Sequence, residues 1–286
     1  MKLSIITINF NNRDGLRKTI ESVVNQTWQE FEYIIIDGGS TDGSVEVIKE
    51  YADRIDYWVS EPDKGIYDAM NKGIDQAKGE YCLFMNSADI IYQATTLQDV
   101  INQLDGTDII SGILAFPGGG RMESPSAISM YFFYCKTLPH QATFIKSKLL
   151  KESPYDTNYN IVSDWKFWIQ SLIFNSRSYK HINNTIAQFD INGISSTHEQ
   201  LRIREQKQVL QELLPPLVLD DYYEMQHGQG YKDIPENEFY TQLMKYKYGQ
   251  YLYSLLVCIC RVISIFRPSA QFAWQYPIFI HQRTKK

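Results

Sequence analysis

The chain has 286 residues, 44% hydrophobic and 21% charged, which excludes a disordered protein and leaves room for one large α/β domain with an appendage. Its four cysteines, Cys82, Cys135, Cys258 and Cys260, have no metal-type spacing, so neither a zinc site nor a disulfide framework is expected, and the thiols read as reduced in a cytosolic protein. The net charge of −5 is uneven: residues 245–286 carry seven basic residues and no acidic one, leaving −12 on residues 1–244. This is an acidic body with a basic tail, and no nucleic acid is expected as its partner.

Taken in chain order, residues 3–8 form a run too short and too polar for a signal peptide and read as a first buried strand. Further strand-like runs lie at 33–36, 57–59, 81–85 and 108–114. Between them apolar residues recur at helical spacing: Leu16, Ile20, Val23 and Val24; Val45, Ile48 and Ala52; Ile66, Met70, Ile74 and Ala77; Leu97, Val100, Ile101 and Leu104. Such alternation predicts a parallel sheet covered by helices. In open α/β sheets ligands bind beyond the carboxyl ends of the strands, so the loops at 9–14, 37–44, 60–65 and 86–91 are the candidates. The pattern breaks at Pro117-Gly118-Gly119-Gly120. It resumes with a predicted strand at 141–145, a helix at 162–174 and a polar helix at 198–214, closed by Pro215-Pro216.

Two loops raise the functional question. Asp37-Gly38-Gly39-Ser40-Thr41-Asp42-Gly43-Ser44 ends a buried strand, but it is neither a dinucleotide fingerprint nor a nucleoside-triphosphate P-loop. Asp37 is read as an acceptor for a donor group on a base or ribose; a plain turn with Ser44 or Asp42 capping the next helix is the other reading. The run at 81–85 stops at Asn86-Ser87-Ala88-Asp89, where the carboxylate is either a loop residue or a ligand.

Four ordered segments, Ser4-Ile5-Ile6-Thr7, Asp37 to Gly43, Ser60 to Ile74 (SEPDKGIYDAMNKGI) and Asn86-Ser87-Ala88-Asp89, resemble glycosyltransferase family 2. The resemblance covers about residues 1–200 and is nearest to bacterial members that build O-antigen and capsule. It implies an α/β GT-A fold, Rossmann-like, with a mostly parallel sheet, helices on both faces and a C-terminal helical tail. It further implies an inverting transfer from a nucleotide sugar. On this reading Thr7, Asn9, Asp37, Lys64, Asp68, Ser87 and His140 bind the nucleotide sugar, and Asp89 matches the metal ligand that ends the family's acidic motif, with Asn86 and Ala88 in place of other carboxylates. A diphosphate entering an acidic body suits a divalent cation, Mg²⁺ or Mn²⁺. Asp164, in Ile161-Val162-Ser163-Asp164-Trp165, matches the catalytic base, with Ser163 replacing the usual Glu. Gln141 is a further candidate beside His140. Gly193 to His198 resembles the loop that closes over the diphosphate, with His198 toward the metal and Arg202 toward the phosphates.

The expected organisation is a glycosyltransferase domain at 1–214, with a nucleotide-sugar half at 1–115 and an acceptor half at 116–214. Residues 215–286 form a helical, basic extension. There Leu252, Leu255, Leu256, Ile259, Ile263 and Phe266 fall at helical spacing over fewer apolar residues than a membrane span needs. With Arg261, Arg267 and the aromatics Phe272, Trp274, Tyr276 and Phe279, this predicts attachment to an anionic membrane surface at its cytoplasmic face. Packing of the tail on the core is the alternative. The expected reaction moves a hexose or N-acetylhexosamine from a UDP-sugar to a lipid-linked (polyprenyl) oligosaccharide. A non-catalytic, sugar-nucleotide-binding scaffold subunit and a sugar-nucleotidyltransferase are the rivals.

Overall fold

The computed structural model describes residues 1–190 and 198–227. Met1–Leu213 form one compact unit. Its sheet runs β3 (Tyr57–Ser60), β2 (Phe31–Asp37), β1 (Leu3–Asn9), β4 (Tyr81–Phe84), β8 (Thr143–Lys146), β6 (Ile109–Ala115), β9 (Tyr179–Gln188), β5 (Ile90–Ile91), with β7 (Arg121–Glu123) on β6. The strands from β3 to β4 pair in parallel. β8 then enters antiparallel to both β4 and β6, while β6 and β9 are parallel. The sheet is therefore parallel in its first half and mixed in its second.

Both faces of the first half are covered, so β1 and β2 are buried at nearly every position and mostly apolar, with Ser4, Thr7 and Glu32 among the buried polar exceptions. Alternate residues serve opposite faces. Leu3, Ile5, Tyr33 and Ile35 pack with Leu16, Ile20 and Val23 of helix α1 (Arg13–Val24). On the other face the helix Ile66–Gln76 lies on β1 at Gly73, where an added Cβ would come 2.5 Å from Ile6 Cγ2. Asn12 starts α1 by accepting the Gly15 N–H at 3.1 Å.

Three elements depart from the sequence reading. The strand expected at 141–145 is a 3₁₀ turn, His140–Ala142, followed by β8, because Pro139 starts the turn and Thr143 Oγ1 donates back to its carbonyl at 2.7 Å. The helix expected at 162–174 is α-helical only over Ser163–Trp168 and continues as a π-helix over Ile169–Phe174. The ten-residue β9 was not expected, since Tyr-Lys-His-Ile-Asn-Asn-Thr-Ile-Ala-Gln has little apolar alternation. Its partner β6 shifts register around Gly112, where a Cβ would lie 2.7 Å from the Asn184 carbonyl.

The polar helix spans Glu199–Leu213. In the second unit, which begins at Leu214, the helix Pro216–His227 opens with Pro216 at a position that needs no backbone donor. The amphipathic and aromatic tail at 245–286, like residues 193–197 of the expected closing loop, lies outside the described residues.

Candidate active site

The loops leaving β1, β2, β3 and β4 open onto one cavity of about 810 Å³, a size suited to a small-molecule ligand. Asn9 ends β1 and Phe10 and Asn12 follow it, Gly38 follows β2, Asp63 and Gly65 follow β3, and Asn86, Ser87 and Asp89 follow β4. The second half of the chain closes the opposite wall with His140, Gln141, Asp164, Trp165, Asp190 and Arg202. Leu114, Phe116, Met122 and Phe189 form its apolar side.

Asp89 is 3% exposed. Its Oδ1 accepts the Asp190 N–H at 2.8 Å and its Oδ2 accepts from Gln141 Nε2 at 3.0 Å. Burial pushes its carboxyl up to about 7; those two hydrogen bonds oppose the shift and the Asp190 charge adds to it. The turn that presents it is strained: Ala88 has φ +82°. Thr19 of α1 holds that turn, its Oγ1 accepting the Ala88 N–H at 2.9 Å and lying 2.7 Å from the Asp89 carbonyl oxygen. Asn86 Oδ1 is buried in the same loop with no hydrogen-bond partner among the described residues.

Asp164 sits in the first turn of its helix, facing the cavity. Its Oδ1 lies 2.8 Å from the hydroxyl of Tyr67, which is also 2.7 Å from the Ile161 carbonyl. His140 is buried, stacked on Phe84 with ring centroids 4.9 Å apart, and its Nε2 is 3.4 Å from the Tyr155 hydroxyl. Burial lowers the His140 pKa and the nearby Asp164 charge offsets part of that, so the ring is neutral at pH 7.

Of the residues singled out from the sequence, Asn9, Ser87, Asp89, His140, Asp164 and Arg202 line the cavity. Thr7 does not: it is fully buried and shares a hydrogen bond with Tyr33 at 3.1 Å, because its position on β1 points into the α1 face. Asp37 is also enclosed. Its carboxylate accepts from Asn9 Nδ2 (2.7 Å), Ser40 Oγ (2.6 Å), Ser40 N (2.9 Å) and Ser60 Oγ (2.6 Å), which uses both lone pairs of each oxygen. It reaches the cavity indirectly, by orienting Asn9, whose buried Oδ1 has no partner among the described residues. Lys64 and Asp68 do not line the cavity. The Asp68 carboxylate accepts the Lys64 N–H at 3.0 Å and lies 3.8 Å from Lys72 Nζ. His198 is exposed and outside the lining.

Two residues were missed. Tyr67 shares its buried stripe with Met70 and Ile74, a helical spacing that could have marked it. Glu205 is buried at 3% exposure beside Val209 on a helix whose mean composition is polar, so its burial left little trace in the pattern.

The family model for Glycosyl transferase family 2 matches residues 4–165. An uncharacterized glycosyltransferase of Mycobacterium tuberculosis is 34% identical over 206 residues, spanning 69% of this chain and 78% of that protein. A PGL/p-HBAD biosynthesis glycosyltransferase of Mycobacterium bovis is 28% identical over 207 residues, spanning 68% and 79%. In fold, the chain resembles S. aureus TarS 1-349 in complex with UDP-GlcNAc, with a TM-score of 0.61 and 18% identity over 99% of this chain and 90% of that one. A mannosyltransferase of Pyrobaculum calidifontis, in complex with GDP-Man and Mn²⁺, gives a TM-score of 0.55 and 11% identity over 99% and 85%. The chain therefore belongs to glycosyltransferase family 2, nucleotide-sugar-dependent inverting enzymes whose GT-A fold it has.

Proposed function

We propose that the protein moves a hexose or N-acetylhexosamine from a UDP-sugar to a hydroxyl of a lipid-linked oligosaccharide, in the building of a bacterial surface polysaccharide. The observation that carries this reading is the meeting of Asp89 and Asp164 on one cavity, one from each half of the chain. Residues 1–115 serve the nucleotide sugar and 116–214 the acceptor. Asn9 offers to the nucleotide an acceptor oxygen that has no partner among the described residues, Ser87 and neutral His140 face the donor, and Arg202 brings positive charge to the diphosphate. Asp164 takes the proton of the attacking hydroxyl. Such general-base help is worth about 10²–10⁴ in rate.

The residues present suit a divalent cation. Asp89 supplies a carboxylate, and Asn86 Oδ1 is a second hard oxygen without a partner among the described residues. No group of three or more His, Cys, Asp or Glu able to hold a metal exists among the described residues, so Mg²⁺ or Mn²⁺ would depend on the donor phosphates for the rest of its shell. When bound it supplies neutralisation of the departing diphosphate.

Among the described residues no helix is long and apolar enough to cross a membrane. Attachment is assigned to the basic, aromatic stretch at 245–286, lying on anionic headgroups at the cytoplasmic face.

The test is incubation with Mn²⁺ and a panel of nucleotide sugars, reading which nucleoside diphosphate is released. UDP release from one sugar supports the reading; release from none sinks it. Asp164→Asn is expected to leave donor affinity in place and lower turnover at least about 100-fold. Unchanged turnover would remove Asp164 from the mechanism.

A further inference from the structure

We propose that Tyr67 and Glu205 form a clamp on residues 160–164 that sets the position of Asp164, which makes both of them positioning residues for the transfer. The proposal rests on the reading of Asp164 as the base. It starts from Glu205, a carboxylate that lies outside the cavity lining and is nevertheless 3% exposed. Its Oε1 accepts from the Asn160 N–H at 2.9 Å and from Asn160 Nδ2 at 3.1 Å, and its Oε2 accepts from the Ile161 N–H at 2.9 Å. A buried carboxyl group accepting from three donors, two of them backbone, fixes the path of the segment it holds.

From the other side, the Tyr67 hydroxyl lies 2.7 Å from the carbonyl of Ile161 and 2.8 Å from Asp164 Oδ1. Ile161 is thus tied at both main-chain polar atoms, by Glu205 on its N–H and by Tyr67 on its carbonyl. The phenol keeps its proton, since burial and then the Asp164 charge push its pKa well above the usual tyrosine range. It is therefore a donor that chooses between two acceptors on one segment. The helix Glu199–Leu213 grips the same region again further along. Its Glu212 pairs with Lys166 Nζ at 2.7 Å and accepts from the Tyr159 hydroxyl at 3.0 Å. One helix thus holds the segment before Asp164 and the turn after it.

A general base works only if its oxygen meets the acceptor hydroxyl at hydrogen-bond distance, and small misplacements are costly in rate. The clamp therefore belongs to turnover rather than to donor binding. The experiment compares Tyr67→Phe and Glu205→Gln in the full chain, alone and combined with Asp164→Asn. Tyr67→Phe removes only the hydroxyl, and Glu205→Gln keeps one acceptor oxygen while turning an N–H₂ toward a backbone donor.

For each single variant, UDP affinity in the presence of Mn²⁺ is expected within about 2-fold of the parent, with kcat lowered about 10-fold. In the Asp164→Asn background the same changes should lower residual turnover by less than about 2-fold, because groups acting through one residue are not additive. Thermal melting, read in parallel, corrects turnover for the folded fraction. Equal losses in both backgrounds overturn the clamp, as does parental kcat per folded molecule in the single variants. If Asp164→Asn itself keeps full turnover, the base assignment has failed, and the clamp fails with it; loss in Asp164→Asn alone condemns only the clamp.

Discussion

Asp89 and Asp37 are both buried carboxylates, yet they respond to pH with opposite signs. Burial raises Asp89 to about 7, so a cation bound there, as proposed, would compete with a proton. Mn²⁺ affinity measured by calorimetry should fall as pH drops through about 7, and Asp89→Asn should weaken binding and flatten that dependence. In metal-free buffer the raised carboxyl means that Asp89's contribution to stability is full below the ordinary carboxylate range and is lost as pH rises to about 7. For Asp37, burial pushes up, but the hydrogen bonds from Ser40, Ser60 and Asn9 outweigh it and the pKa is lowered. Its stabilisation is present above the ordinary carboxylate range and is lost as pH falls through the lowered value. Asp37→Asn should cost roughly 2–3 kcal/mol at neutral pH, because the new amide faces donors. Urea unfolding from pH 7 downward should show that loss shrinking with acid. Both carboxylates were visible in the sequence as strand-end acids. Which of them faces the cavity was not, since that depends on whether neighbouring hydroxyls already fill its lone pairs.

At the scale of elements, the turn at 86–89 depends on a residue 70 positions from the carbonyl it holds: Thr19 takes the Ala88 N–H and reaches the Asp89 carbonyl. Thr19→Val keeps the shape and removes both polar contacts. It should cost about 1–3 kcal/mol in urea unfolding and weaken Mn²⁺ binding through the relaxed Ala88, whereas parental values for both would show that the backbone alone holds φ at +82°. The parallel half of the sheet was legible because strands buried on both faces are mostly apolar, as Tyr33 to Ile36 are throughout and Leu3 to Ile8 are except at Ser4 and Thr7, whose hydroxyls are hydrogen-bonded to Glu32 and Tyr33. β9 was not legible. Paired with β6 over most of its length and with β5 at its end, it is specified by ladder pairing and register, in which Lys180, His181 and Thr185 take part without apolar alternation.

For the whole molecule, the charge asymmetry yields the prediction that reaches furthest. The protein should sediment with vesicles containing anionic lipid, and deletion of residues 245–286, with their seven basic residues, should release it; a truncated form that still binds would place attachment elsewhere. The sequence by itself determined the α/β class, the four loops that meet at one sheet edge, and the family, because these follow from periodicity, from the chain direction of parallel strands and from short motifs whose chemistry is local. Only the tertiary structure decided what each side chain in those loops does. Asp37 saturates itself, Thr7 faces the core, Gln141 and the Asp190 N–H converge on Asp89, and Tyr67 and Glu205 close on Ile161 from opposite sides. Those roles are set by hydrogen-bond satisfaction between residues distant in the chain, with Tyr67 and Asp164 separated by 97 positions. No local pattern records that pairing, because it exists only once the two halves of the domain have packed.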